Sequence, residues 1–234
     1  SQVVVVFADG TDPYFTRPVG FERIAGAGDL RPPGVEPELA PLSTGLGEIF
    51  QYTLEGDGFT PMEKRTIQTW LIAPRLRTVP GVTEVNSFGG EVKQFHVVVH
   101  PDRLLEYGLT LRDVTEALGR SNANAGAGLI LKGWEQMYIR GVGLFATVAD
   151  VERVVLKARD GTPVFVRDVA DVTIGPQVRQ GAITRDGRGE SVAGMTIMLR
   201  GENSKTVVSA VKEAVAKIQQ RLPEGLRIDV FYDR

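Results

Sequence analysis

His96 and His100 spell H-x-x-x-H. On a helix that spacing sets two imidazoles on one face, where they can share a metal ion. The intervening residues are Val97, Val98 and Val99, so the segment is expected to be a strand, and the same spacing then holds the two rings about 13 Å apart on one face. Both histidines are expected to be structural. Glu48 is a stronger candidate for chemistry. It follows Gly45-Leu46-Gly47 and opens a stretch in which Ile49, Gln51 and Thr53 alternate with Phe50, Tyr52 and Leu54. A carboxylate at the head of such a strand is a hard oxygen donor suited to divalent ions; the competing reading is an exposed or ion-paired strand residue. Asp9-Gly10-Thr11-Asp12 has the look of a metal loop, but a turn leading into a helix cap explains it better. Met137, Met195 and Met198 are too dispersed for a thioether ladder and suit strand cores. Trp70 and Trp134 suit packing or an interface, and Arg179 and Arg185 suit solvated charge or a partner contact. The chain has no cysteine, which excludes disulfides, thiolate metal sites and cysteine nucleophiles. No nucleophile–base pair, phosphate loop or acid/base pair is evident, so an enzyme is the least supported class.

The elements that must position these residues follow a repeated pattern. Near the C-terminus, Gly194–Arg200 predicts a strand, Gly201-Glu202-Asn203-Ser204 a turn and cap, and Val207–Leu222 a helix with apolar residues at near-helical spacing. Leu222-Pro223-Glu224-Gly225 and a strand over Leu226–Tyr232 complete the unit. The N-terminus repeats it: a strand Val3–Asp9, a helix to about Gly28 weakened by Pro18, Arg31-Pro32-Pro33-Gly34, and a strand near Val35–Leu39. Strand, helix, strand twice over is the split βαβ vocabulary of ferredoxin-like folds. Between these ends, Thr60-Pro61 starts a helix running towards Thr78 with a bend at Pro74. Val82–Phe88 and Val92–Val99 predict a hairpin around Gly89-Gly90. Thr110 with Asp113 predicts a capping box, and Gly126–Gly141 a strand pair turning near Lys132-Gly133. From Gly143 to Gly189 turn residues crowd short strands, which marks an inserted β-rich module.

Hydrophobic residues make up 42% and charged residues 24% of the 234, enough for a packed core. The net charge of −2 supplies no basic field, so nucleic acid is not an expected partner. No apolar run reaches the roughly 20 residues that a spanning helix needs. The chain opens directly before a predicted strand and closes directly after one, which points to a segment of a longer protein.

Several long motifs then fall into order. Ser43-Thr44-Gly45-Leu46-Gly47-Glu48-Ile49-Phe50-Gln51-Tyr52, Pro80 to Gly90 (PGVTEVNSFGG), Gly175-Pro176 followed by Arg179 and Gly181, and Tyr232-Asp233-Arg234 resemble segments of heavy-metal efflux pumps of the resistance–nodulation–division superfamily, cobalt–zinc–cadmium type. The resemblance is collinear over essentially the whole chain. It implies the first periplasmic segment of a bacterial inner-membrane transporter, with an α+β fold of ferredoxin-like porter subdomains and a small β-rich docking insertion. Residues 1–56 would be the second half of the first porter subdomain, 57–140 and 190–234 the second, and 141–189 the docking insertion.

The resemblance also assigns roles. By motif, Glu48 and Glu84 match the acidic residues that bind the ion in transit in the divalent-cation branch. An aromatic residue tends to stand at the position of Glu48 in the copper and silver branch. Zinc, cobalt, cadmium or nickel is therefore the expected cargo, driven outward by proton antiport, with no resident cofactor. Zinc takes about four ligands, so two glutamates would be half a site. The implied partners are two further copies in a homotrimer, a periplasmic adaptor (membrane fusion) protein and an outer-membrane channel. Two alternatives remain at this point: a drug-exporting relative, against which the 7% aromatic content counts, and a free-standing soluble βαβ binding module.

Overall fold

The computed structural model describes all residues except 1, 2, 9, 28, 29, 31, 33, 44, 45 and 160, together with the backbone but not the side chain of Arg159. Part of the Asp9–Asp12 loop and of the Ser43–Tyr52 motif therefore lies outside the described residues. Asp12 is within them and acts as a cap: its carboxylate accepts from the Tyr14 backbone N–H at 2.8 Å and opens α1 (Pro13–Gly26). Helix α1 runs through Pro18 and buries no residue. The strands expected on either side of it do not form. Val3–Phe7 is exposed and lies outside any strand, as does Val35–Leu39. A strand needs a neighbour for its N–H and C=O groups, and among the described residues none is offered.

The first body is a sheet backed by helices. β1 (Glu48–Glu55) leads through α2 (Pro61–Ile67), a π-helical turn (Gln68–Ile72) and α3 (Ala73–Arg77) to β2 (Val82–Gly89). Thr60 and Glu63 form a capping box at the start of α2. The bend expected at Pro74 takes the form of the π turn just before it. Proline has no N–H to give to the preceding turn and its ring crowds the carbonyl four residues back, so the chain widens there.

The second body follows. It holds β3 (Lys93–Val99), α4 (Pro101–Tyr107), α5 (Leu111–Ser121), β4 (Ala125–Lys132), β5 (Glu135–Gly141), α6 (Val148–Glu152), β6 (Val155–Arg159), β7 (Thr162–Phe165), α7 (Val166–Val169) and β8 (Ala170–Pro176). The chain then returns through β9 (Ile183–Thr184), β10 (Glu190–Met198), α8 (Ser204–Gln219) and β11 (Arg227–Asp233).

The main sheet has the order β11-β1-β10-β2, with β9 attached to β10. This is two βαβ units interleaved, β1-helix-β2 and β10-α8-β11: the ferredoxin-like α+β fold. Its core holds Ile49, Phe50, Tyr52, Leu54, Ile72, Leu76, Val85, Val192 and Val211, all fully or almost fully buried between the sheet and the helices. The Tyr52 hydroxyl donates to Gln68 Oε1 at 3.0 Å, and Gln68 Nε2 donates to Ser87 Oγ at 3.2 Å, so the buried amide is satisfied on both sides. Burial pushes the Tyr52 phenol far above its ordinary value, outweighing the bond to Gln68.

The second body has a core of its own, including Leu104, Leu109, Val114, Val151, Val166, Val169 and Val172. The capping box expected at Thr110/Asp113 is present, and a second one, Thr147 with Asp150, opens the short α6. Two expectations change here. β2 and β3 do not form a hairpin, because β3 pairs with β8. Gly89 and Gly90 both take φ near +68 and turn the chain out of the main sheet; a Cβ at Gly89 would overlap the Ser191 carbonyl. The cores also fall elsewhere than the expected divisions. β1, expected with residues 1–56, pairs with β10 and β11. β3, β4 and β5, expected in 57–140, belong to the sequence that interrupts the main sheet, which runs from about residue 90 to 182 rather than 141 to 189. It carries helices as well as strands, and these helices help bury the apolar faces of β3, β7 and β8.

Candidate functional site

Helices α2, α3 and α8 and the π turn pack on one face of the main sheet; α1 comes near the other face, where its Arg17 lines a crevice beside Glu84. Glu48 stands opposite Ile197, and Ile197 stands opposite Glu84. Directly paired residues of an antiparallel sheet point to the same side. The two glutamates therefore occupy one rung across β1, β10 and β2, with Cα atoms about 10 Å apart at ordinary strand spacing. Register places on a single face two carboxylates that are 36 positions apart in sequence.

Their surroundings differ. Glu48 is exposed, and its Oε2 accepts from Gln51 Nε2 at 3.3 Å. Glu84 is half-buried in a crevice of about 560 Å³ that Arg17, Arg77, Thr83 and Leu199 also line. Arg77 donates from Nη2 to the Val85 carbonyl at 3.1 Å, and Arg17 donates to the Leu39 carbonyl at 3.3 Å and to the Ala40 carbonyl. Both guanidinium groups are held by backbone carbonyls. Glu48 does not line this crevice. Among the described residues no group of three or more His, Cys, Asp or Glu is arranged to hold a metal ion. The rung thus presents two carboxylates, fewer than the number of ligands a divalent ion takes.

The other candidates are occupied with structure. His100 Nε2 lies 2.9 Å from Asp171 Oδ2, and the residue stands at the N-cap position of α4 without a side-chain bond to the helix. His96 stands opposite Thr173, its ring filling the space above Gly175. Arg179 pairs with Glu190. Arg185 bonds Thr53 Oγ1 and pairs with Asp229 at 2.9 Å and Glu55 at 3.3 Å. Gln51 and Arg77 were not singled out by sequence. Alternation along β1 marks Gln51 as facing away from the core; nothing short of the fold places Arg77 beside Glu84.

A model of the AcrB/AcrD/AcrF family matches residues 1–234. The chain belongs to the AcrB/AcrD/AcrF family. Within that family its similarity runs to heavy-metal proteins, in line with its motifs. It is 46% identical over its whole length to the cobalt-zinc-cadmium resistance protein CzcA of Cupriavidus metallidurans and 40% identical to the cation efflux system protein CusA of Escherichia coli. It spans 23% of the length of each. A crystal structure of a heavy metal efflux pump superposes on 98% of this chain with a TM-score of 0.82 at 33% identity, again over 23% of that pump. The family membership and the α+β fold expected from sequence are thus both found. No helix among the described residues is long and apolar enough to cross a membrane.

Proposed function

We propose that this AcrB/AcrD/AcrF-family segment is the porter and docking portion of a proton-driven efflux transporter for divalent heavy-metal cations. It would stand on the periplasmic side of a bacterial inner membrane. The observation that carries the reading is the shared rung: Glu48 and Glu84, assigned by motif, stand on either side of Ile197 on the face of the sheet opposite α2, α3 and α8. Oxygen ligands favour zinc, cobalt, cadmium or nickel over copper(I), which prefers thiolate and thioether sulfur. The transported ion is cargo, and the remaining ligands would come from other parts of the transporter.

In this reading the main sheet with its helices is the second porter subdomain and moves as one body. The interrupting body, about 90–182, serves docking to an adaptor protein and an outer-membrane channel. The homotrimer draws support from the β4–β5 hairpin. Every residue of both strands is exposed, including Leu129, Ile130, Leu131 and Tyr138, with Trp134 bare at the turn. So much apolar side chain on a free ribbon suits burial against a neighbouring copy. The heavy-metal relatives weigh against the drug-exporting alternative.

The test is cation export by the full-length transporter carrying Glu48→Ala or Glu84→Ala. Loss of zinc or cobalt export is expected from each. Export at the parental rate from both would remove the rung from the ion path.

A further inference from the structure

The acidic rung has a neighbour of the same design. One step along the sheet, Gln51 stands opposite Met195, and Met195 opposite Asn86. Two amides flank a central apolar residue just as two carboxylates flank Ile197. On β2 and β10 the two rungs are two residues apart, so about 7 Å separates them on one face. On β1 the spacing is three residues, which in a regular strand would send Glu48 and Gln51 to opposite faces. The register of β1 shifts between Glu48 and Phe50, however. This irregularity inserts one extra residue and returns Gln51 to the side of Glu48. The hydrogen bond from Gln51 Nε2 to Glu48 Oε2 at 3.3 Å is its direct result.

We infer that Gln51 and Asn86 form a second oxygen-donor station on the cation path, with Gln51 also the positioning residue for Glu48. The inference rests on the reading of Glu48 and Glu84 given above. A carboxylate only accepts hydrogen bonds, so the Gln51 NH2 faces Glu48 and its carbonyl oxygen remains available to a cation. Such a partner fixes the rotamer of a ligating carboxylate and raises its affinity. Half-buried Asn86 has no side-chain hydrogen bond among the described residues, which leaves its amide oxygen equally available. Amide oxygens are neutral hard donors and hold a divalent ion more loosely than carboxylates, as a station that must pass the ion on requires.

The next row is Thr53, Ala193 and Phe88. Ala193 and Phe88 have no side-chain oxygen, and Thr53 Oγ1 is bonded by Arg185, itself paired with Glu55, Asp186 and Asp229, so this row adds no third station of the same design.

The test uses the full-length transporter in proteoliposomes, with Zn2+ and Cd2+ supplied separately and KM and kcat resolved for each. Gln51→Met keeps the side-chain length and replaces oxygen with soft sulfur. It is expected to raise KM for Zn2+ about tenfold, to raise KM for the softer Cd2+ less, and to leave kcat unchanged. Asn86→Leu, similar in shape and without the oxygen, is expected to raise KM for both ions. Unchanged KM for both ions in both variants, or a fall in kcat alone, overturns the inference. Glu48→Gln measured in parallel separates the two ideas. A raised KM in Glu48→Gln with none in the amide variants removes the second station and leaves the acidic rung; unchanged KM in all three removes both.

Discussion

The pair β1–β10 and the pair β4–β5 are both antiparallel ladders of seven to nine residues per strand, yet they live in opposite environments. In β1, Ile49, Phe50, Tyr52 and Leu54 are completely shielded from water. In β4 and β5 every residue is exposed. Both are built on the same antiparallel backbone ladder. What separates them is a second layer: α2, α3 and α8 back the sheet of the first pair, and among the described residues nothing buries the second. Hydrogen-bonded strands alone are marginal in water, and packing decides how much a ladder contributes. The first pair stabilises the chain itself, whereas the second holds its apolar surface in reserve for a partner.

The sharpest way to break this contrast is Gly194→Ala, in the middle of β10. A methyl group there would overlap the Tyr52 ring and press on the Gln68 amide, both buried and hydrogen-bonded together. Urea denaturation should show a loss of roughly 3 kcal/mol, the upper range for overpacking a tight core. Tyr52→Phe tests the polar part of the same core. It leaves Gln68 Oε1 buried without its donor, and about 1–3 kcal/mol should be lost in the same assay.

Acid should reveal the three capping boxes. The carboxyl of Glu63 is held below its ordinary 4.5 by hydrogen bonds from the Thr60 backbone and hydroxyl. Those of Asp113 and Asp150 are held below 3.8, chiefly by the hydroxyls of Thr110 and Thr147 and then by backbone N–H groups. A lowered folded-state value means that the contribution is complete above the unfolded values and disappears as pH falls through the folded ones. Thermal melts at about pH 5 and about pH 3 should therefore differ, and Thr110→Val together with Thr147→Val should narrow the difference. The smallest effect belongs to the hairpin. Trp134→Ser should move the stability of this chain by less than about 0.5 kcal/mol, while weakening assembly of the full-length transporter as seen by sedimentation. A large loss of stability in the isolated chain would erase the contrast.

The sequence made local features plain and long-range ones obscure. The Thr60 and Thr110 caps and the turn near Gly133 stand where spacing places them, and the helix expected over Val207–Leu222 forms three residues earlier, over Ser204–Gln219, because each depends on residues a few positions apart. The pairing of β3 with β8 spans some 70 residues of intervening chain, and no local signal distinguishes it from a hairpin with β2. Gly89-Gly90 reads the same whether the chain doubles back or departs. The site divides likewise. Motif picked out Glu48 and Glu84, but their common neighbour Ile197 is known only from the sheet order, as are the placements of Gln51 and Asn86.

The two crossings between the bodies lie side by side. Gln177 donates to the Val92 carbonyl at 2.8 Å, and Glu190 holds both the Gly90 N–H, at 3.1 Å, and Arg179. That clasp bears on how the chain reaches its native state. β2 and β10 are far apart along the chain, and closing so long a loop costs entropy before any contact repays it. If the intervening body folds first, its own ends meet at the clasp, and the gap left for β10 to cross shrinks to a few residues. Assembly from the inside outward would then turn a slow long-range search into a nearly local one.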